Sequence, residues 1–352
     1  MTNCIVVGGG IAGLATAHAL LQTGSAVTLL ERGAIGQESS WAGGGILSPL
    51  CPWDYPDAVT RLTTRGAALF PAWAQALHAA TGIDPEYEVS GMRVLPPFDA
   101  EVARRWCAEH GVKLKAADNA SKDLFLPDVA QVRNPRLLRA LRTHVEQLGG
   151  RIIEQCDVCN LVTGHGRVQA LATSCGEFLA ENFVVTAGAW STQVLGQHAL
   201  QLDIKPVRGQ MLLFKFASPP LRHIVLQGDL YLIPRRDGHL LVGSTLEDVG
   251  FDKNVTQTAS DDLHRRAEVL FPALHGMQPV QHWAGLRPAS PHNIPTIGRH
   301  PQLNNLYLNS GHFRYGITMA PASAEILLNE ITGAPQPLDI APYQAGWNNT
   351  AR

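Results

Sequence analysis

CIVVGGGIAGLATAHALLQTGSAVTLLER, residues 4–32, decides the fold. Its opening apolar run, residues 4–7, enters three consecutive glycines, as a buried strand enters a loop. Residues 11–23 carry Ala and Leu at helical spacing, Gly24 stops the helix, and AVTLLE (26–31) reads as a second buried strand. Strand, loop, helix and strand make a βαβ unit, and Gly8, Gly10 and Gly13 fit GxGxxG where that unit needs it. Gly8 permits the tight turn, Gly10 lets backbone approach a pyrophosphate, and Gly13 lets the helix pack closely on the strand. Ile11 and Ala12 open a helix whose N-terminus offers N–H donors and the positive end of its dipole. Glu31 ends the second strand 18 residues after Gly13, where an acid accepts from a ribose 2′-hydroxyl and opposes a 2′-phosphate. A dinucleotide without a 2′-phosphate is expected. Spacing alone leaves NAD and FAD both open.

Beyond this unit, PRLLRALRTHVEQL (135–148) reads as a helix ending at Gly149-Gly150. RIIEQCDV, RVQALATS and EFLAENFVVTAG follow as short alternating strands separated by glycine turns. From 206 to 246 the pattern is antiparallel β, with QMLLFKF, DLYLIPRR and HLLVGST and a turn at RRDGH. NLYLNSG (305–311) is one more strand, and ITMAPASAEILLNEI (317–331) is a final helix. No internal repeat is visible. The expected class is α/β: a Rossmann-type dinucleotide domain interleaved with an antiparallel β-rich substrate domain. The first is expected from residues 1–80, 133–205 and 283–352, the second from 81–132 and 206–282.

A net charge of −2 with no basic block speaks against a nucleic-acid surface. Charged residues make up 16%, against roughly 25% in typical soluble domains, which points to a large interior or a buried contact and leaves a homo-oligomer open. No apolar run reaches the ~20 residues of a membrane span. The start, MTNCIVVGGG, lacks a basic n-region, and its removal would destroy the glycine loop, so a cytoplasmic enzyme is expected. Six cysteines are scattered; those of CDVC (156–159) fall in RIIEQCDVCNLV, which alternates like a strand and so turns residues three apart to opposite faces. No second CxxC or histidine pair completes a metal site, and none is expected.

HWAGLRPASPHNIPTIG, residues 282–298, sets Arg287 among Trp283, Leu286, Pro288 and Ile294 with no acid nearby in sequence. A guanidinium in such surroundings needs an anion, and its planar fork matches a carboxylate through two charge-assisted hydrogen bonds.

Six stretches together resemble the FAD-dependent D-amino-acid oxidase superfamily, specifically the glycine oxidases of bacterial thiamine biosynthesis. They are VVGGGIAGLATA (6–17), LLERGAIGQESSWAGGGILSPL (29–50), VVTAGAWS (184–191), YLIPRRDGHLLVGST (231–245), WAGLRPASPHNIPTIGRHP (283–301) and GHFRYGITMAP (311–321). The resemblance spans nearly the whole chain in the family's order, and SSWAGGG, GLRP and GHFRxGI are its narrow motifs. It implies FAD as cofactor, held non-covalently, because residues 283–300 lack the cysteine of the covalent-flavin sarcosine oxidases. It adds Arg32, Ser39, Ser40, Ala42, Gly43, Gly44, Gly188, Trp190 and the run Gly311, His312, Arg314, Tyr315, Gly316 and Ile317 to the cofactor residues.

The same resemblance implies that Arg287 binds the substrate carboxylate and that the Tyr231 hydroxyl approaches it; the Arg314 side chain is a candidate second anion contact, while the resemblance makes its backbone, beside the flavin, the useful part. Ile46 and Leu246 fall where the family places residues near the substrate side chain, while Asp229 departs from a histidine and is given no role. The implied reaction is oxidative deamination of glycine, sarcosine or a small D-amino acid, by hydride transfer from Cα to flavin N5. The imino acid is hydrolysed and O2 is reduced to H2O2. No side-chain general base is needed. Two alternatives remain: a dehydrogenase using another electron acceptor, and a flavin subunit of a multi-subunit glycine-oxidising complex.

Overall fold

Strands buried on both faces organise the molecule. The computed structural model describes residues 2–116 and 122–348, so the extreme ends of the expected cofactor domain, and 117–121 of the expected substrate domain, lie outside the described residues. Strand Asn3–Val7 runs through the glycine loop into helix Ile11–Gln22 and returns as the parallel strand Ala26–Leu30. Arg151–Ile153, Asn182–Val185 and Leu306–Ser310 extend the parallel sheet, and Thr296–Arg299 closes one edge antiparallel. Along the first strand, Cys4 and Val6 enter the core beneath a helical layer, and Ile5 and Val7 enter the core on the other face. The second layer is a three-stranded antiparallel sheet of Val158–Gly164, Arg167–Thr173 and Gly176–Phe178. This two-sided burial is why the strand reads as a continuous apolar run.

The helical layer contains a long helix, Asp57–Thr81, that sequence pattern alone does not announce. Gly66 and Pro71 interrupt its pattern as breakers do, yet Val59, Leu62, Gly66, Phe70 and Leu77 form one buried stripe. A side chain at Gly66 would overlap the backbone of Thr318, so the glycine is what lets this helix lie against Gly316–Thr332.

An eight-stranded sheet, mostly antiparallel, forms the second body, in the order Gln281–Ala289, Lys205–Lys215, His239–Gly243, Leu230–Pro234, Ile224–Gln227, Met92–Leu95, Leu124–Leu126 and Lys115–Ala116. One face carries Met92, Met211, Tyr231 and Ile233, and the other packs Leu212, Phe214, Leu232 and Val242 against helix Gln257–Leu270. The expected α/β class, with an antiparallel sheet interleaved into a Rossmann-type layer, is what the chain forms. Residue 283 falls inside strand Gln281–Ala289, so the chain changes sheet only after residue 289.

Two local expectations are corrected. RIIEQCDV is not one strand: it stops at Ile153, and Gln155, at φ 56°, turns the chain before Val158 starts the next. Cys156 therefore lies in a connection, buried, with its thiol donating to Thr173 Oγ1 at 3.4 Å, while Cys159 is exposed. EFLAENFVVTAG likewise divides into Gly176–Phe178 and Asn182–Val185, which belong to different sheets.

Candidate active site

The glycine loop is shaped by what it touches. A side chain at Gly8 would lie 2.7 Å from the Thr186 carbonyl, and one at Gly13 would overlap the Gly8 carbonyl, so strand and helix close to backbone contact. Thr186 Oγ1 donates to the carbonyls of Val7 and Gly8, both at 2.9 Å, and fixes the loop from the neighbouring strand. Glu31 accepts from Gly9 N (2.7 Å) and Gly33 N (2.8 Å), one on each carboxylate oxygen, which leaves lone pairs on both. Ser40 Oγ accepts from Ile11 N at 2.9 Å, and the Arg32 guanidinium lies 4.4 Å over the Trp190 ring.

Gly8, Ile11, Glu31, Arg32, Ser40, Thr186 and Trp190 line one cavity of about 310 Å3, which also takes in Tyr231, Arg287, Arg314 and Ile46. Gly8, Gly10, Ile11, Ala12, Glu31, Arg32, Ser39, Ser40, Gly43, Gly44, Gly188, Trp190, His312, Tyr315, Gly316 and Ile317 all reach it. Four expected residues do not. Gly13 lies beneath Gly8; Ala42 is buried with its carbonyl accepting from Trp283 Nε1 at 3.0 Å; and Gly311 turns its carbonyl to Ser290 Oγ at 2.6 Å. Leu246 is corrected outright: it is 54% exposed on the surface. Its neighbours Thr245 and Glu247 direct their side chains to Gln210 and Arg208, and along an extended chain that turns Leu246 the opposite way.

The sequence reading missed Thr186, the connection Cys156–Val158, Leu50 and Asn309, all on the cavity wall. It also missed Arg235, which is buried and donates to Gln131 Oε1, the Val132 carbonyl and the Gly44 carbonyl. Burial pushes its pKa down to about 10. An arginine directly after the apolar run YLIP was the available signal.

The eight-stranded sheet presents its cavity face through three glycines. Gly243 leaves room for Met211 and Tyr231 to meet, with the Tyr231 hydroxyl 3.2 Å from Met211 Sδ. Gly285 lets Ala42 settle onto the sheet. Gly209 lies under the Arg287 guanidinium. Arg287 donates through Nη2 to Ser244 Oγ (2.7 Å) and through Nη1 to the Thr245 carbonyl (3.2 Å), and forms no salt bridge among the described residues. Burial pushes its pKa down, and the nearby Tyr231 hydroxyl opposes that.

Two observations test the cavity for a large, phosphate-bearing cofactor. His312 Nε2 is buried on its wall without a protein partner, and burial holds that imidazole near pKa 4, hence neutral. Helix Gly316–Thr332 begins at the cavity with no side-chain cap, so its first N–H groups are free to meet oxygen acceptors. A flavin dinucleotide fits both, with the pyrophosphate at the first helix and a polar ring edge at the last.

Comparison with known proteins agrees with this geometry. Residues 3–329 match the DAO family, described as FAD dependent oxidoreductase. The chain is 43% identical to a glycine oxidase of Pseudomonas aeruginosa, over 96% of this chain and 97% of that protein, and 42% identical to one of Pseudomonas putida over the same shares. The crystal structure of glycine oxidase from Geobacillus kaustophilus superposes with a TM-score of 0.91 at 26% identity, covering 97% of this chain and 98% of that one. A cradle built for a dinucleotide, and a match running almost from end to end, lead to one conclusion: the chain belongs to the DAO family of FAD-dependent oxidoreductases.

Proposed function

We propose that the chain catalyses FAD-dependent oxidative deamination of glycine or a small amine-bearing acid, such as sarcosine or a small D-amino acid. One observation carries the substrate assignment: Arg287 turns a guanidinium bonded only to neutral oxygens into the wall of the cofactor cavity. When bound, FAD supplies the two-electron oxidising power that no side chain has. Gly8, Gly10, Ile11 and Ala12 hold its pyrophosphate, Glu31 its ribose, and the run from His312 to Ile317 its ring edge. The parallel sheet thus carries the cofactor and the eight-stranded sheet the substrate.

The substrate's carboxylate takes the free edge of Arg287, with the Tyr231 hydroxyl beside it. That docking fixes the Cα, so orientation rather than acid–base chemistry is the protein's contribution. Arg314 lines the same cavity as Arg287 and puts a second cation on the wall that faces an anionic substrate. Ile46 and Leu50 close the wall with apolar carbon, which suits a substrate with little or no side chain. The imino acid product hydrolyses to a 2-oxo acid and ammonia (methylamine in the case of sarcosine), and O2 takes the electrons to give H2O2. No helix among the described residues is long and apolar enough to cross a membrane. All six cysteines are free thiols, which supports a reducing, cytoplasmic setting.

The test is turnover of glycine, sarcosine and both alanine enantiomers, read by peroxide release under air and by bleaching of flavin absorbance without it. Bleaching without peroxide identifies a different electron acceptor. Arg287→Ala is expected to raise the KM for glycine by about 100-fold or more, the loss of two charge-assisted bonds, with FAD retained. An unchanged KM refutes the carboxylate assignment.

A further inference from the structure

Beneath Arg287 the sheet has no side chain. Strands Lys205–Lys215 and Gln281–Ala289 pair with Val207 opposite Arg287 and Gly209 opposite Gly285. Directly paired residues share a face, as do residues two apart on one strand, so Gly209 and Arg287 both face the cavity. A methyl group built on Gly209 would overlap Nη1, Nη2 and Cζ of Arg287 together. The guanidinium therefore lies across the Gly209 Cα, in the space a side chain would fill. Gly209 sits mid-strand and is not among the positive-φ glycines, so its backbone conformation accepts alanine. What excludes a side chain is the arginine.

The second support comes from one edge. Ser244 Oγ and the Thr245 carbonyl accept from the two terminal nitrogens, and neither neutralises the charge. The segment carrying these acceptors is clamped to the glycine's own strand on both sides of it. Gln210 N donates to Thr245 Oγ1 at 2.8 Å, while Arg208 and Glu247 exchange backbone bonds at 2.9 and 3.0 Å. Arg208 also donates from Nη2 to Glu247 Oε2 at 2.6 Å. Seat and anchor thus move as one piece.

We propose that Gly209 and Ser244 are positioning residues for substrate binding. Gly209 gives the Arg287 fork a flat seat, and Ser244 sets its rotation within that plane, so that the free N–H groups meet a carboxylate squarely. This rests on the reading of Arg287 as the carboxylate receptor. Because the clash at Gly209 is with the far end of a flexible side chain, Gly209→Ala displaces the guanidinium and leaves the sheet intact.

A double-mutant cycle on the FAD-loaded enzyme tests this, with KM and kcat for glycine and the binding of acetate read from the flavin absorbance. Gly209→Ala is expected to raise the KM and the acetate dissociation constant by about ten-fold, one charge-assisted bond misaligned. The kcat falls by less, and FAD content and melting temperature hold. In the Arg287→Ala background the same substitution changes kcat/KM by less than about two-fold, since its effect runs through the arginine. If Arg287→Ala raises the KM while Gly209→Ala does not, or if the Gly209→Ala penalty persists without the arginine, the seat is refuted and the receptor stands. If Arg287→Ala leaves the KM unchanged, the receptor falls and takes the seat with it. Should Gly209→Ala fail to fold, Ser244→Ala carries the same cycle, with an expected KM rise of about three-fold that vanishes in the Arg287→Ala background.

Discussion

Arg287 gives two N–H donors to Ser244 and Thr245 and has the Tyr231 hydroxyl beside it, all neutral oxygens that leave its charge unpaired. Geometry as well as charge is therefore at stake. Arg287→Lys keeps the charge but loses the fork, so its KM for glycine should rise by about ten-fold and stay below that of Arg287→Ala. Equal values for Lys and Ala would mean that the ammonium cannot reach the site at all. This residue was legible in the sequence because a charge in an apolar run demands an explanation. For Leu246 a motif position does not give a direction: it has polar neighbours on both sides whose side chains turn to Gln210 and Arg208, and that alternation sends Leu246 to solvent. Gly209 was unreadable, since nothing local says which side chain from another strand will occupy a glycine's space.

At the scale of elements, the βαβ unit was legible because its periodicity, turn glycines and terminal acid agree within 29 residues, 4–32. Helix Asp57–Thr81 was not, because Gly66 and Pro71 suggest breaks where tertiary contact decides the outcome. That helix packs against Gly316–Thr332, whose N-terminus borders the cavity, and Thr318 Oγ1 donates to the Ile46 carbonyl at 3.2 Å on the same wall. Gly66→Ala should therefore separate the two helices at an overpacking cost of about 1 to 3 kcal/mol and weaken FAD retention together with stability. A melting scan and a flavin-to-protein absorbance ratio measure the two losses. A drop in stability with full FAD occupancy would show that the last helix keeps its place without this contact.

Over the whole molecule, acid acts through groups the fold keeps from their ordinary protonation. Burial, reinforced by His144, lowers the pKa of His18 to about 4, so folded protein holds it neutral while unfolded chain protonates it below about 6.5. The stability this gives is complete above 6.5 and is lost as pH falls toward 4, roughly 3 kcal/mol across that window. Glu247 follows at lower pH: burial works to raise its carboxyl, but bonds from Arg208, Thr245 and Gln210 outweigh it, and its contribution fades below the ordinary carboxylate range. The melting temperature should fall steadily from pH 6.5 to 4.5, and His18→Asn should flatten that slope; an unchanged slope would exclude His18 as its source.

The sheet order joins distant parts of the chain: Leu306–Ser310 pairs with Asn182–Val185, which pairs with Asn3–Val7, and Tyr343 donates its hydroxyl to the Ala58 carbonyl at 2.7 Å. During synthesis the amino-terminal strand therefore emerges from the ribosome long before the strand and helix that complete its layer. A nascent chain stalled near residue 295 has its glycine loop and no closing wall, and should fail to retain flavin.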